Sequence, residues 1–487
     1  MILSLGERVP NAASALGPDF DRARVGALSG AERCLTVFDG RLFAAGDRHS
    51  GRWLYEHTPG GWVRHQQAGH WLHHVEGGAS LRVWSGDPVS GDVLPGSAYD
   101  GRSWTASEVP AQAPPPATPH PDAPLSYRER RAYPGMSVCE VTDTASGEVI
   151  GRWRAPTVGV PAWEDETLWL RYEAWPRQEL VGWSTRSRQV TERLPLPIGA
   201  LSNLIVLPGL AAAVWADPYT PSSVVTAGSV PELAAELNRR SAGPAALPYT
   251  ARTEVVGEAC AIVHTPQDGP IGRIMMLHGG PHSSVWPVYS PLVAFLCRLG
   301  WEVVAVNPRS SSLGSRFSPN ACRYGIDDAL DVVNLAESAG GDLPLVLAGW
   351  SYGAYLAGRA VSEGARCAGL VSLSGFLSPK TLEASSHPAV KAFRTKLPLP
   401  EPRHERLARV PLLAIHGRAD ERIPLPQVLA DAGDHPALTP VELAGEGHGI
   451  VTDEGAALAY ASLADWLTTV GGEARTTRPH DRAGALP

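Results

Sequence analysis

Leu345-Val346-Leu347-Ala348-Gly349-Trp350-Ser351-Tyr352-Gly353-Ala354-Tyr355 carries an apolar run into a serine set between glycines. The run is short and uncharged, as a strand buried on both faces requires. The residues after the serine, to about Val361, have the composition of a helix. In that setting G-x-S-x-G reads as a nucleophile elbow, a sharp strand-to-helix turn that lifts a serine hydroxyl above a sheet. The glycines stand where neighbouring backbone must pass closely. A purely structural Gly-Ser turn is the competing interpretation, and the flanking strand and helix weigh against it.

A serine hydroxyl attacks poorly until a base takes its proton and a carboxylate orients that base. Both partners are expected downstream. Ile415-His416-Gly417-Arg418-Ala419-Asp420 is a strand and short loop ending in an aspartate; Leu443-Ala444-Gly445-Glu446-Gly447-His448-Gly449 is a strand followed by a glycine-flanked histidine. The order Ser351, Asp420, His448 is that of α/β-hydrolases, with each residue at the C-terminal end of a strand. His387, His404 and His435 lie away from strand ends and read as solvated or capping residues. For a developing oxyanion, the N–H of Tyr352 is one donor. Leu277-His278-Gly279-Gly280-Pro281 offers the N–H of Gly280 as the second, with His278 a structural hydrogen-bonding residue.

Around these motifs the chain has two rhythms. From about residue 251, apolar runs at Ile274–Leu277, Val303–Val306, Leu343–Ala348, Gly369–Leu373, Pro411–Ile415 and Val441–Leu443 alternate with amphipathic stretches, the βαβ pattern of a mostly parallel sheet with helices on both faces. One expected helix places Ile326, Leu330 and Val333 together; the last places Leu463, Trp466, Leu467 and Val470 together. Eleven of the fifteen tryptophans fall between Trp53 and Trp215, among short β-prone runs. Turn residues at Thr58–Gly61 and Thr144–Gly147 predict hairpins, and Leu168–Arg171 and Leu180–Ser184 repeat the unit, as a short or degenerate β-propeller would. The expected organisation is an all-β domain over 1–225, a linker with a short helix over 226–250, a catalytic domain over 251–473 and a loose tail over 474–487. His65, His70, His73 and His74 could offer metal nitrogens, but nothing beside them completes a ligand set, and surface or packing histidines are expected. The proline-rich stretch 109–125 reads as an extended loop, not a strand.

The 487 residues, 44% hydrophobic and 19% charged, suffice for large cores, so wholesale disorder is excluded. A net charge of −8 gives no basic field for nucleic acid. No apolar run is long enough to span a membrane, and a cytoplasmic protein is expected. Six cysteines without a CxxC pair argue against a zinc or redox motif, so no metal or organic cofactor is expected.

These residues resemble the prolyl oligopeptidase family of serine peptidases, a β-propeller followed by an α/β-hydrolase domain. The resemblance covers about Thr253 to Val470 and rests on His278-Gly279-Gly280-Pro281, Asn307-Pro308-Arg309-Ser310-Ser311, Gly349-Trp350-Ser351-Tyr352-Gly353, His416-Gly417-Arg418-Ala419-Asp420 with Ile423-Pro424, and Gly445-Glu446-Gly447-His448-Gly449. The HGGP form is similar to the acylaminoacyl-peptidase and dipeptidyl-peptidase branches, which implies a backbone donor at Gly280. It also implies that Arg422, two residues past the aspartate, holds a substrate carbonyl or carboxylate. Ser310, Leu313 and Ala354 depart from the family pattern, and Trp163-Glu164-Asp165-Glu166 is only a faint echo of its paired glutamates. The expected activity is a serine hydrolase cleaving short peptides or acyl-peptides through an acyl-enzyme. An esterase, thioesterase or transacylase acting on an acylated small molecule stays open, as does, further off, a non-catalytic interaction protein. Trp286, Leu313, Phe317 and Trp350 stand near enough to the motifs to line an acyl pocket, but core packing is the favoured reading of each. The oligomeric state is left open.

Overall fold

A computed structural model of the chain describes residues 34–476 apart from connecting segments, the longest being 87–92, 108–117 and 312–321. The second half is built on eight strands: β1 Tyr249–Val256, β2 Ala259–Pro266, β3 Gly272–Leu277, β4 Trp301–Asn307, β5 Leu345–Trp350, β6 Gly369–Leu373, β7 Leu412–Gly417 and β8 Leu438–Leu443. They lie in the order β1-β2-β4-β3-β5-β6-β7-β8. Only β2 pairs antiparallel, with β1 and β4; all later pairs are parallel. The hydrophobic runs located the six parallel strands. They missed the β1–β2 hairpin, whose outer strand carries Arg252 and Glu254 and so shows no unbroken apolar run.

Both faces of the sheet are covered, and successive residues of β3 feed opposite cores. Ile274 and Met276 join Leu292 and Phe295 of helix Pro291–Arg298 and Leu463 and Trp466 of the C-terminal helix. Met275 and Leu277 join Val332 of helix Asp327–Ser338 and Leu356 and Ala360 of helix Tyr352–Glu363. The C-terminal helix buries Leu463, Trp466, Leu467 and Val470 as expected, but runs on to Thr476. Helix Asp327–Ser338 is rotated from its expected face: Leu330 is 41% exposed, while Asp328, Ala329, Asp331, Val332 and Val333 are buried. Polar pairing decides this. Asp331 takes the guanidinium of Arg309, and Asp328 takes the hydroxyl of Tyr352, so two carboxylates sit on the inner face.

Among the described residues from Cys34 to Ala227 the regular structure is all β, in antiparallel sheets of four, four, seven and three strands. The expected hairpins form, pairing Gly51–Thr58 with Gly61–Ala68, Met136–Asp143 with the strand starting at Val149, and Thr167–Ala174 with Arg177–Ser184. The proline-rich stretch ends in a two-residue edge strand, Thr118–Pro119, against Ser126 and Tyr127, a place where proline is tolerated; residues 109–117 lie outside the described residues, as do His70 and the side chains of His65, His73 and His74. Helix Val230–Ser241 packs Val230, Leu233, Ala234 and Leu237 against Trp169, Leu180, Leu201 and Trp215. Several contacts tie the halves together, among them a bond from the Ala251 N–H to the Tyr219 hydroxyl at 2.8 Å. The Tyr249 hydroxyl donates to the Pro218 carbonyl at 2.5 Å, and the Arg171 guanidinium lies 5.5 Å from the ring centre of Trp286, a favourable cation–π contact.

Helix Tyr352–Glu363 reaches the sheet through Gly353, where a Cβ would lie 2.3 Å from the Leu277 carbonyl oxygen and 2.6 Å from that of His278. Gly353→Ala is expected to destabilise the catalytic half by about 2 kcal/mol or more, because backbone cannot swing aside as a side chain can. A lowered urea midpoint for this variant, against an unchanged one, is the measurement that decides.

Candidate active site

Ser351 stands between β5 and the helix with φ 52° and ψ −118°, a region that side chains rarely occupy. Its N–H donates to the Leu373 carbonyl at 3.0 Å, fixing the turn to the end of β6. Gly349 and Gly353 allow the turn, since a Cβ on Gly349 would lie 2.1 Å from the carbonyl carbon of Gly353. The side chain of Ser351 is partly exposed.

Asp420 and His448 meet after β7 and β8. The His448 Nδ1–H donates to Asp420 Oδ2 at 2.8 Å, both side chains being buried. The other carboxylate oxygen accepts the N–H groups of Arg422 and Ile423, each at 2.9 Å. His416 adds a donor: its Nε2–H faces the Ile423 carbonyl at 2.8 Å and lies 3.2 Å from Asp420 Oδ2. Burial pushes the Asp420 carboxyl up, but hydrogen bonds from His416 and His448, with the charge of His448, outweigh it and hold the group well below the usual carboxylate range. The edge of Trp350 packs against the His448 ring at 6.2 Å between centres. The loop bearing His448 is held by buried Glu446, whose carboxylate accepts the Thr452 N–H at 2.9 Å and hydroxyl at 2.5 Å. Among the described residues no hydrogen bond links Ser351 Oγ to His448.

The two expected oxyanion donors flank the serine. Tyr352 is the first residue of its helix, so its N–H has no intrahelical acceptor. Gly280 has φ 125°, which favours glycine, and a Cβ on the preceding Gly279 would lie 3.4 Å from Ser351 Cβ. His278 is buried, with Nδ1 2.6 Å from the Gly279 carbonyl and Nε2 2.6 Å from Ser311 Oγ. Burial lowers its pKa to about 4. The Tyr352 side chain turns away from the serine; its hydroxyl donates to Asp328 at 2.6 Å and accepts the Gly325 N–H at 3.0 Å.

Known proteins share this arrangement of chain. Residues 274–483 match the alpha/beta hydrolase family. Nearly the whole chain is similar in shape to a puromycin-hydrolyzing peptidase of Mycobacterium tuberculosis, with a TM-score of 0.62 and 14% identity over 96% of this chain and 97% of that one. The acylaminoacyl peptidase of Pyrococcus horikoshii gives a TM-score of 0.51 and 12% identity over 89% and 95%. The fold is that of the prolyl oligopeptidase family. A curated protein, the uncharacterized peptidase YuxL of Bacillus subtilis, is 27% identical over 177 residues, 32% of this chain and 26% of its own. The chain thus spans about a quarter of the length of that curated relative.

Within this prolyl-oligopeptidase fold the remaining candidates take other places. Arg422 contributes its backbone N–H to Asp420, and its side chain is half-buried. Trp350 is 1% exposed and belongs to a core, while Trp286 lies beneath Arg171. Leu313 and Phe317 lie outside the described residues. Glu164, the faint echo of a substrate glutamate, is committed to structure: it accepts the indole N–H of Trp169 at 2.8 Å and the N–H of Val230 at 3.0 Å. His435 caps its turn, as expected. Four residues that shape the site were given no role from sequence: His416, Ser311, Asp328 and Glu446. All but Asp328 sit inside motifs of the family resemblance. His416 and Glu446 lie two to four residues from a triad candidate, and that proximity was the available signal.

These environments make two outcomes testable. Asp420→Asn is expected to cost about 10⁴-fold in turnover with little change in fold, because the amide cannot fix the same imidazole tautomer; steady-state rates beside circular dichroism test it. Burial holds His264 and His278 each down to about 4 in the folded protein. The unfolded chain therefore binds more protons below about pH 6.5, so this contribution to stability is complete above that pH and lost as pH falls toward 4, on the order of several kcal/mol for the pair. Urea midpoints at pH 7 and pH 5 should differ in that sense, and His264→Phe should flatten the difference.

Proposed function

We propose that the chain is a serine hydrolase cleaving short peptides or acyl-peptides. The observation that carries this is the buried 2.8 Å bond from His448 to Asp420, formed at the same end of the parallel strands as the elbow that presents Ser351. In this mechanism His448 Nε2 takes the hydroxyl proton as Ser351 Oγ bonds to the substrate carbonyl carbon. Asp420 holds the imidazole and stabilises its charged form. The N–H groups of Gly280 and Tyr352 receive the oxyanion, His448 returns the proton to the leaving amine, and water releases the acyl group by the reverse sequence. Arg422 is assigned to a substrate carbonyl or carboxylate, a task its forked donors suit.

A peptide is favoured over other acyl compounds because both full-length neighbours are peptidases by name, one hydrolysing puromycin and one an acylaminoacyl peptidase. The antiparallel sheets of the first half support its assignment as a short propeller screening the site from folded proteins. Fold and triad alone do not choose the leaving group. An N-acetyl-aminoacyl arylamide and the matching ester, each measured against a Ser351→Ala blank, separate the cases. Serine-dependent amide hydrolysis is expected; ester turnover without amide turnover would sink the peptidase assignment and point to acylated small molecules.

A further inference from the structure

We infer that His278 and Ser311 are positioning residues that aim the Gly280 N–H at the oxyanion. This rests on the hydrolase assignment above and deepens it. The peptide joining Gly279 to Gly280 is planar, and in a trans peptide the C=O and N–H point in opposite directions. Whatever grips the Gly279 oxygen therefore sets where the Gly280 hydrogen points. His278 Nδ1 lies 2.6 Å from that oxygen. A carbonyl can only accept, so Nδ1 carries the proton, and Nε2 of the neutral ring is left to accept from the Ser311 hydroxyl at 2.6 Å.

The Gly279 carbonyl thus fixes the tautomer that can hold the peptide, and the Ser311 hydroxyl braces the ring from its other nitrogen. The clamp is rigid because His278 and Ser311 are 5% and 4% exposed, and because it joins the ends of two adjacent parallel strands, β3 and β4. Burial lowers the His278 pKa to about 4, so the ring stays neutral and the tautomer holds through the neutral range. The clamped unit is also adjacent to the nucleophile, since Gly279 packs against Ser351. Gly280, at φ 125°, adopts a conformation open to glycine and poor for other residues.

The test uses the full chain and three variants. His278→Leu removes the donor; His278→Asn keeps an N–H near the Nδ1 position; Ser311→Ala removes the hydroxyl that braces Nε2. The readouts are the rate of Ser351 labelling by a fluorophosphonate, KM and kcat on the substrate that the wild type turns over best, and inhibition by a peptide boronate, whose tetrahedral adduct presents an oxygen to the hole. His278→Leu should lose about 10- to 100-fold in kcat and in boronate affinity with KM nearly unchanged, less than the roughly 10²–10³-fold of outright donor loss because the N–H is misaimed and not removed. Ser311→Ala should lose less, and His278→Asn should recover most of the rate. If His278→Leu does not fold, Ser311→Ala and His278→Asn carry the same comparison. Wild-type labelling with equal labelling and boronate affinity in the variants overturns the clamp alone, as does a rise in KM at constant kcat. A wild type whose Ser351 does not react overturns the hydrolase assignment and the clamp with it.

Discussion

Where the helix that follows Ser351 meets the sheet, Gly353 runs against the carbonyl oxygens of Leu277 and His278 with no room for a methyl group. That approach brings three things to one point: the start of a helix, the end of β5, and the loop that leaves β3. The candidate nucleophile and both candidate oxyanion donors follow from it, because each belongs to a residue within one or two positions of the contact. Gly349 and Gly417 serve the same end, letting turns stack where side chains would hold them apart. A parallel sheet whose strands end in register then lays the loops after β7 and β8 beside this point.

The polar groups behind the site are organised by burial. Asp420, taken out of water, would be costly as an anion were it not surrounded by four donors, two from histidine rings and two from backbone. Asp328 is equally buried yet has the opposite tendency: burial dominates its environment and raises its pKa, despite bonds from Tyr352 and the Gly325 N–H. One aspartate is thus held as an anion beside two imidazole rings, while the other anchors the elbow helix through a tyrosine ring that points away from Ser351.

The site was legible in the sequence wherever chemistry is local. A serine between glycines, an aspartate after one strand and a histidine after another keep their meaning at any distance along the chain. So did the strands buried on both faces, which appear as unbroken apolar runs. Legibility failed where partners come from elsewhere in the fold. Leu330 looks like a core residue until Arg309 and Tyr352 claim the aspartates beside it and rotate the helix. The edge strand β1 has too little burial to mark itself. Ser311 gave no sign of its task, since its partner His278 lies 33 residues away.

Ser351 is held in a backbone conformation that suits glycine, and strain of this sort costs about 1–3 kcal/mol. The surrounding fold must be rigid enough to impose it. An inactive glycine at this position would relax the turn, so a chain selected for robustness alone would drift toward silence. At this one position stability and the proposed chemistry pull in opposite directions.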